Sequence, residues 1–403
     1  MPTWLFILVY VCKVFIEHLE QMDFSVMNKI RLGIYPYSVE FEPVLRHISL
    51  LDPEIEIQAL ISPKGWGLTG KTISAINKEK SWTVVSGLDS VLNEINTIFI
   101  PDFQTNERTE ILIVKEILKI IPNIDKVILA AKLTNNNVEL LQGACAESGC
   151  IFENLNNKAE SFDFKPDIIT ALDIPLEQIN VPIVAIAGLW EETDKFEVSL
   201  ALREKFIQNG YHITQIGSRN YCEMLGFHSF PNFMYDINMD AVGKIMNFNR
   251  WVKQLTKSED PDLIIITVPG AIKNLNDKFP KGFGVLPHIL FQAMAVDVLL
   301  FCTTFEWGAI ELLDELSTIC KYSFGCEVDC FHMSNMFFDI NTSLERESVT
   351  LNHVSREKVA DALEHGYKDS PIPVFNMLDN DACDKVFNLI EGKLSGDDFM
   401  LVT

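Results

Sequence analysis

The sequence predicts an α/β protein made of two Rossmann-like parallel-sheet domains, followed by a short helical C-terminal segment. Three observations predict it. Short apolar runs such as Ile55–Ile61 and Leu263–Val268 alternate with segments of helical period, the pattern of βαβ units. The alternation restarts at Val181. The restart opens with an apolar strand, a glycine and a lysine-led amphipathic helix.

The elements follow in order. Ile30–Tyr35 reads as a strand, and Phe41, Val44, Leu45, Ile48 and Leu51 give Ser38–Leu51 a helical spacing. Strands follow at Ile55–Ile61, Trp82–Val85, Thr97–Pro101 and Lys126–Ala131, with helices at Glu107–Ile120 and Asn137–Glu147. The second half gives a strand at Val181–Ala187 and a helix at Lys195–Asn209 stopped by Gly210. After it come a strand at Tyr211–Ile216, a helix over 240–257, and strands at Leu263–Val268 and Val296–Cys302. Helices at Arg356–His365 and Asp381–Lys393, joined by Pro371–Pro373, complete the chain. The domains expected are 27–178, 179–345 and a helical segment with a tail at 346–403. Residues 1–26 hold an apolar run, Trp4–Val11, too short to span a bilayer and lacking a basic start and a cleavage site. They read as a leader outside the fold.

The 403 residues carry 56 acidic and 33 basic side chains, a formal charge of −23. That field repels phosphate backbones and anionic lipid, so neither nucleic acid nor membrane is an expected partner, whereas a basic peptide is attracted. Nine scattered cysteines without a disulfide framework point to reduced thiols in a cytoplasm.

Ala185–Leu202 is the most informative segment. Gly188 ends a strand, and Lys195 follows after six residues at the mouth of a helix, the layout of a phosphate cradle. The loop is a deviant P-loop. Asp194 precedes the lysine, Phe196 stands where a Mg²⁺-binding hydroxyl would follow it, and Glu191, Glu192 and Glu197 add negative charge. Carboxylates a few ångströms apart repel a triphosphate by about 1–4 kcal/mol each near a surface. Asp194 as N-cap with Glu197 three residues on would form a capping box, acids replacing the phosphate at the helix end. Gly188, Glu191, Thr193, Asp194 and Lys195 are the candidate ligand contacts, and ATP or another nucleotide is the cofactor the layout suggests.

A second glycine loop, Gly65-Trp66-Gly67-Leu68-Thr69-Gly70-Lys71, follows the second strand. It admits three readings: a flexible ligand-covering loop, a dinucleotide fingerprint without a ribose acid, or a structural turn. Cys320, Cys326, Cys330 and His332 lie within thirteen residues, dense enough for a metal but without knuckle spacing. His288 reads as a core histidine. The sequence names no catalytic residue.

Beyond the fold, the segment 181–305 resembles the dethiobiotin synthetase-like branch of P-loop proteins, whose loop is longer than the common one. Four blocks, 30–48, 61–71, 187–219 and 334–349, together resemble a bacterial family of peptide maturation system proteins. The resemblance implies a setting beside radical SAM peptide maturases and an acyl-carrier-like protein, with a precursor peptide as partner. It implies that pathway and not a reaction; with the altered loop, the reading is an accessory role that binds a nucleotide-like or peptide ligand with little or no hydrolysis. The alternative is an ATP-dependent ligase or kinase acting on the peptide.

Overall fold

The computed structural model describes residues 29–395 apart from 77–78, 104–105, 158–174, 275–276, 280 and 348. The leader expected at 1–26 lies outside the described residues. The chain forms two units, one from residues up to 42 with 52–154, the other from residues 43–51 with 155 onward. The boundary expected at 178 therefore falls later than the last residue of the first unit, Asn154.

The first unit is a five-stranded parallel sheet in the order β2-β1-β5-β6-β7. Its strands are β1 (Ile30–Ile34), β2 (Ile55–Leu60), β5 (Thr97–Ile100), β6 (Lys126–Leu129) and β7 (Ile151–Asn154). Between β2 and β5 lies an antiparallel hairpin of β3 (Thr72–Ser74) and β4 (Ser81–Thr83). The expected helix at Ser38–Leu51 is three short turns, of which α1 (Glu42–Arg46) alone is α-helical. Pro43 lacks a backbone N–H, and His47 leaves helical geometry at φ −99°, ψ 41°, so the run cannot propagate. Its apolar positions still point inward: Phe41, Val44, Leu45 and Leu51 are all buried.

The two long helices of this unit, α2 (Glu107–Ile120) and α3 (Asn135–Ser148), lie where the periodicity places them. Asn106 caps α2 by accepting from the Thr109 N–H at 2.9 Å. The Thr134 side chain makes no cap bond at the start of α3. Instead the buried Glu110 reaches across from α2 and accepts from Thr134 N (2.5 Å), Thr134 Oγ1 (2.8 Å) and Asn137 Nδ2 (2.8 Å). A carboxylate at a helix N-terminus also meets the positive end of the helix dipole.

The second unit is a seven-stranded, all-parallel sheet in the order β10-β9-β11-β8-β12-β13-β16. The strands are β8 (Ile183–Gly188), β9 (Ile213–Gly217), β10 (His228–Ser229), β11 (Leu263–Thr267), β12 (Val298–Thr303), β13 (Cys330–Met333) and β16 (Val374–Phe375). Two further strands, β14 (Met336–Phe338) and β15 (Leu351–His353), pair with each other alone. β8 is central, and all six of its residues are buried. Ile183, Ala185 and Ala187 face one layer of the core, while Val184 and Ile186 face the other. A strand covered on both faces must be apolar throughout, which is why these strands read as unbroken hydrophobic runs.

Its long helices are α4 (Lys195–Gln208), α5 (Ala241–Glu259), α6 (Val285–Ala293), α7 (Ile310–Phe324) and, near the C-terminal end, α10 (Asn380–Ser395). Shorter helices are α8 (Ile340–Arg346) and α9 (Arg356–Asp361). The region after 346, read as helical from sequence, also supplies β15 and β16. Through β16, α10, Met377, Val386 and Phe387 it enters the sheet and its core. Among the described residues no helix is long and apolar enough to cross a membrane.

Candidate functional site

The segment Gly188–Lys195 lies where the sequence puts it, between the end of the central strand β8 and the first residue of α4. In parallel α/β sheets, ligands bind at this end of the strands, outside their carboxyl termini. Here the register sets Gly188 level with Cys302 of β12, and Cys302 level with His332 of β13. All three sit on the sheet face that α4 covers.

Glycine at 188 is a matter of space. A Cβ there would collide with Thr193 Oγ1 and stand 2.9 Å from Lys195 Cδ. The lysine stem lies across the strand end. Its ammonium donates to the carbonyls of Trp190, of Glu191 at 3.4 Å and of Gly270 at 3.2 Å. Three donors meeting three carbonyl oxygens leave no hydrogen bond for a ligand. Thr193 is buried, and its hydroxyl donates to the same Trp190 carbonyl at 3.0 Å. Burial lowers the Lys195 pKa to about 8, against an opposing pull from Cys302, Glu191 and Glu192. Burial also pushes the Cys302 thiol well up, leaving it unreactive.

The expected capping box is absent. Asp194 is left-handed at φ 59°, where its side chain cannot turn back onto the first helical N–H groups as an extended N-cap does, and it makes no cap bond. The left-handed conformation is the one glycine adopts freely and aspartate tolerates. The chain thus keeps a glycine-type backbone with an acid on it. The carboxylate turns instead to His332, with Oδ2 3.5 Å from Nε2. Met377 N–H donates to His332 Nδ1 at 3.0 Å, which puts the ring proton on Nε2, facing Asp194. Burial alone would raise the Asp194 pKa, but His332, Ser334 and Arg46 outweigh it and the net shift is downward.

Glu197 is claimed by Arg46 Nη2 instead of the helix start. One turn pair further along α4, Glu204 accepts from Ser49 and lies 2.7 Å from His47 Nδ1. Residues 46–49 therefore hold the outer face of α4 by two charged contacts. Burial raises the Glu197 pKa, and Arg46 opposes the rise. Glu191 and Glu192 stay exposed at the loop tip. Phe196 is buried edge-on against Tyr221 at 6.1 Å, under the Arg219 guanidinium at 5.8 Å. An aromatic ring supplies no metal ligand at this position.

The other sequence candidates lie each within its own unit. Gly65, Gly67 and Gly70 all take positive φ (94°, 71° and 84°), so the chain needs glycine there. The loop runs into the hairpin strand β3 and not into a helix, and a dinucleotide fingerprint requires a helix N-terminus at that point. Trp66 is partly buried 6.3 Å from Phe103, while Lys71 is exposed. The candidate metal cluster is split by the sheet. Cys330 packs on the α4 side, whereas Cys320 and Cys326 belong to the core of the opposite face. Among the described residues no group of three or more His, Cys, Asp or Glu is placed to hold a metal ion. His288, read as a core residue, is exposed on α6. Sequence reasoning gave no role to Arg46 or Cys302 and considered His332 only as a metal ligand. Each acquires its place through long-range pairing.

No family model and no curated protein matches the chain. Among solved structures it is similar to a DUF1611 family protein from Anabaena variabilis, at 12% identity, over 90% of this chain and 98% of that one, with a TM-score of 0.58. That likeness is one of fold, extending through both α/β units. Weaker overlaps occur with apo McdA from Cyanthece (14% identity, 53% of this chain and 93% of that one, TM-score 0.30) and with ATP citrate lyase from Methanosaeta concilii (11% identity, 91% and 51%, TM-score 0.27).

Proposed function

We propose that this chain is an accessory protein that holds a nucleotide-like or peptide ligand without turning over nucleoside triphosphate. The observation that carries the reading is the state of Lys195. Its ammonium is consumed by the carbonyls of Trp190, Glu191 and Gly270, in a loop whose one hydroxyl, on Thr193, donates to the Trp190 carbonyl as well. A phosphate cradle works by presenting N–H donors and a free lysine to developing charge, with a hydroxyl holding the metal. The ammonium here is occupied, Phe196 stands in place of the hydroxyl, and Asp194 and Glu197 add two carboxylates at the start of the helix. The setting, modification of a ribosomally made peptide beside radical SAM maturases and an acyl-carrier-like protein, comes from the sequence resemblance.

The test is hydrolysis of ATP with Mg²⁺ by the full chain and by Lys195→Met. The reading predicts no phosphate release above buffer in either protein. Turnover in the wild type that vanishes in the variant would overturn the reading and support the alternative, an ATP-dependent ligase or kinase.

A further inference from the structure

The second unit holds a cavity of about 510 Å³ away from the Gly188–Lys195 loop, at the edge formed by β9 and β10. Arg203 and Glu259, from α4 and the end of α5, line it together with Gln215, Glu223, Phe227 and His228. Most of its polar groups are already matched. Glu259 accepts from Thr214 and lies 2.5 Å from His228 Nε2. Glu223 accepts from Ser229 N at 2.9 Å and from Ser229 Oγ at 2.5 Å.

Two lining side chains are not fully matched. Arg203 lies over the Phe227 ring at 5.2 Å and spends Nη2 on the Gly226 carbonyl at 2.7 Å. Its Nε and Nη1 are buried and meet no acceptor among the described residues. Gln215 is 1% exposed and donates through Nε2 to the Ser199 carbonyl at 3.4 Å, but its Oε1 meets no donor among the described residues. Buried guanidinium donors and a buried amide oxygen are costly to leave unpaired, and native interiors seldom do so. Ile207, Tyr211, Ile213 and Phe227 give the cavity its apolar surface, and small-molecule sites set a few orienting polar groups against such surface.

We propose that this cavity binds a small carboxylate bearing an amide N–H, its carboxylate on Arg203 and its N–H on Gln215 Oε1. The neighbouring Glu223 and Glu259 argue for a monoanion. A dianionic phosphate would face two carboxylates with a single guanidinium to compensate it. An N-acylated amino acid and the C-terminal residue of a peptide both present this chemistry. The site stands apart from the loop and does not depend on what that loop binds.

The experiment is calorimetric titration of the full chain with N-acetylglycine, propionate, N-acetylglycinamide, trialanine and inorganic phosphate. N-acetylglycine binds saturably, and propionate (no N–H) and N-acetylglycinamide (no charge) bind at least about tenfold more weakly. Arg203→Gln and Gln215→Met each weaken N-acetylglycine by about tenfold or more, with an unchanged circular dichroism spectrum. If Arg203→Gln does not fold, Gln215→Met alone carries the test. Trialanine binding more tightly than N-acetylglycine identifies a peptide terminus as the natural source, and equal or weaker binding identifies a small N-acyl amino acid. The proposal is overturned if N-acetylglycine shows no saturable binding, if phosphate binds more tightly than N-acetylglycine, or if both variants bind as the wild type does.

Discussion

Lys195 is a buried cation retained against its desolvation cost. Its pKa lies near 8 when folded and 10.5 when unfolded, so between those values the unfolded chain binds the extra proton. Stability therefore rises with pH across that window, by up to about 3 kcal/mol relative to a variant without the group. Urea unfolding of wild type and Lys195→Met at pH 7.5 and pH 10 will show the wild type gaining on the variant at the higher pH. Equal changes in both would mean that the ammonium is not buried. Arg46 and Glu197 make the complementary case, a pair with Glu197 nearly enclosed and Arg46 a quarter exposed. Arg46→Met strands the carboxylate and is expected to cost about 2 kcal/mol at pH 7, less than a fully buried pair because solvent reaches the guanidinium. The double change Arg46→Met/Glu197→Met should recover most of the loss, measured by the same unfolding titration.

At the scale of elements, the first unit shows how one side chain can complete another helix. Glu110 carries the N-terminal capping of α3, so Glu110→Ala is expected to cost about 1–3 kcal/mol and to increase hydrogen exchange at the start of α3. Glu110→Gln should fall between, since all three bonds converge on Oε1 and an uncharged amide oxygen in its place accepts them more weakly. The legibility of elements followed the same physics. Glu107–Ile120 was readable to the residue because its apolar stripe, its Asn106 cap and its tertiary environment agree. Ser38–Leu51 misled because its apolar spacing survives in a chain that Pro43 and His47 break into turns. β16 went unread because a two-residue strand after Pro373 carries no periodicity, and it exists only through its pairing with β13. In the site, the position of the Gly188–Lys195 loop was legible from spacing. The partners of its acids were not, since His332 and Arg46 lie well over a hundred residues away from them in sequence.

Across the whole second unit, the C-terminal stretch is part of the sheet and its core. Met377, Val386, Phe387 and Ile390 pack with Val184, Ile186 and Val198, and the Met377 N–H orients the histidine that faces Asp194. A chain ending at residue 369 loses an edge strand, a covering helix and that hydrogen bond together. It is expected to expose β13 as an open edge and to aggregate on expression. A soluble product with a native circular dichroism spectrum would show that the sheet is complete without β16. The formal charge of −23 also acts at this scale, since it weakens any polyanion before contact is made.

The turn between β8 and α4 is filled by its own lysine. The most direct measurement follows the ¹⁵Nζ resonance of Lys195, assigned by comparison with Lys195→Met, while ATP and Mg²⁺ are titrated in. The resonance is expected to stay where it is at all concentrations, with the ammonium remaining on the carbonyls of Trp190, Glu191 and Gly270. A saturable shift of that resonance would show the lysine leaving those carbonyls for phosphate, and the turn would be an open cradle after all.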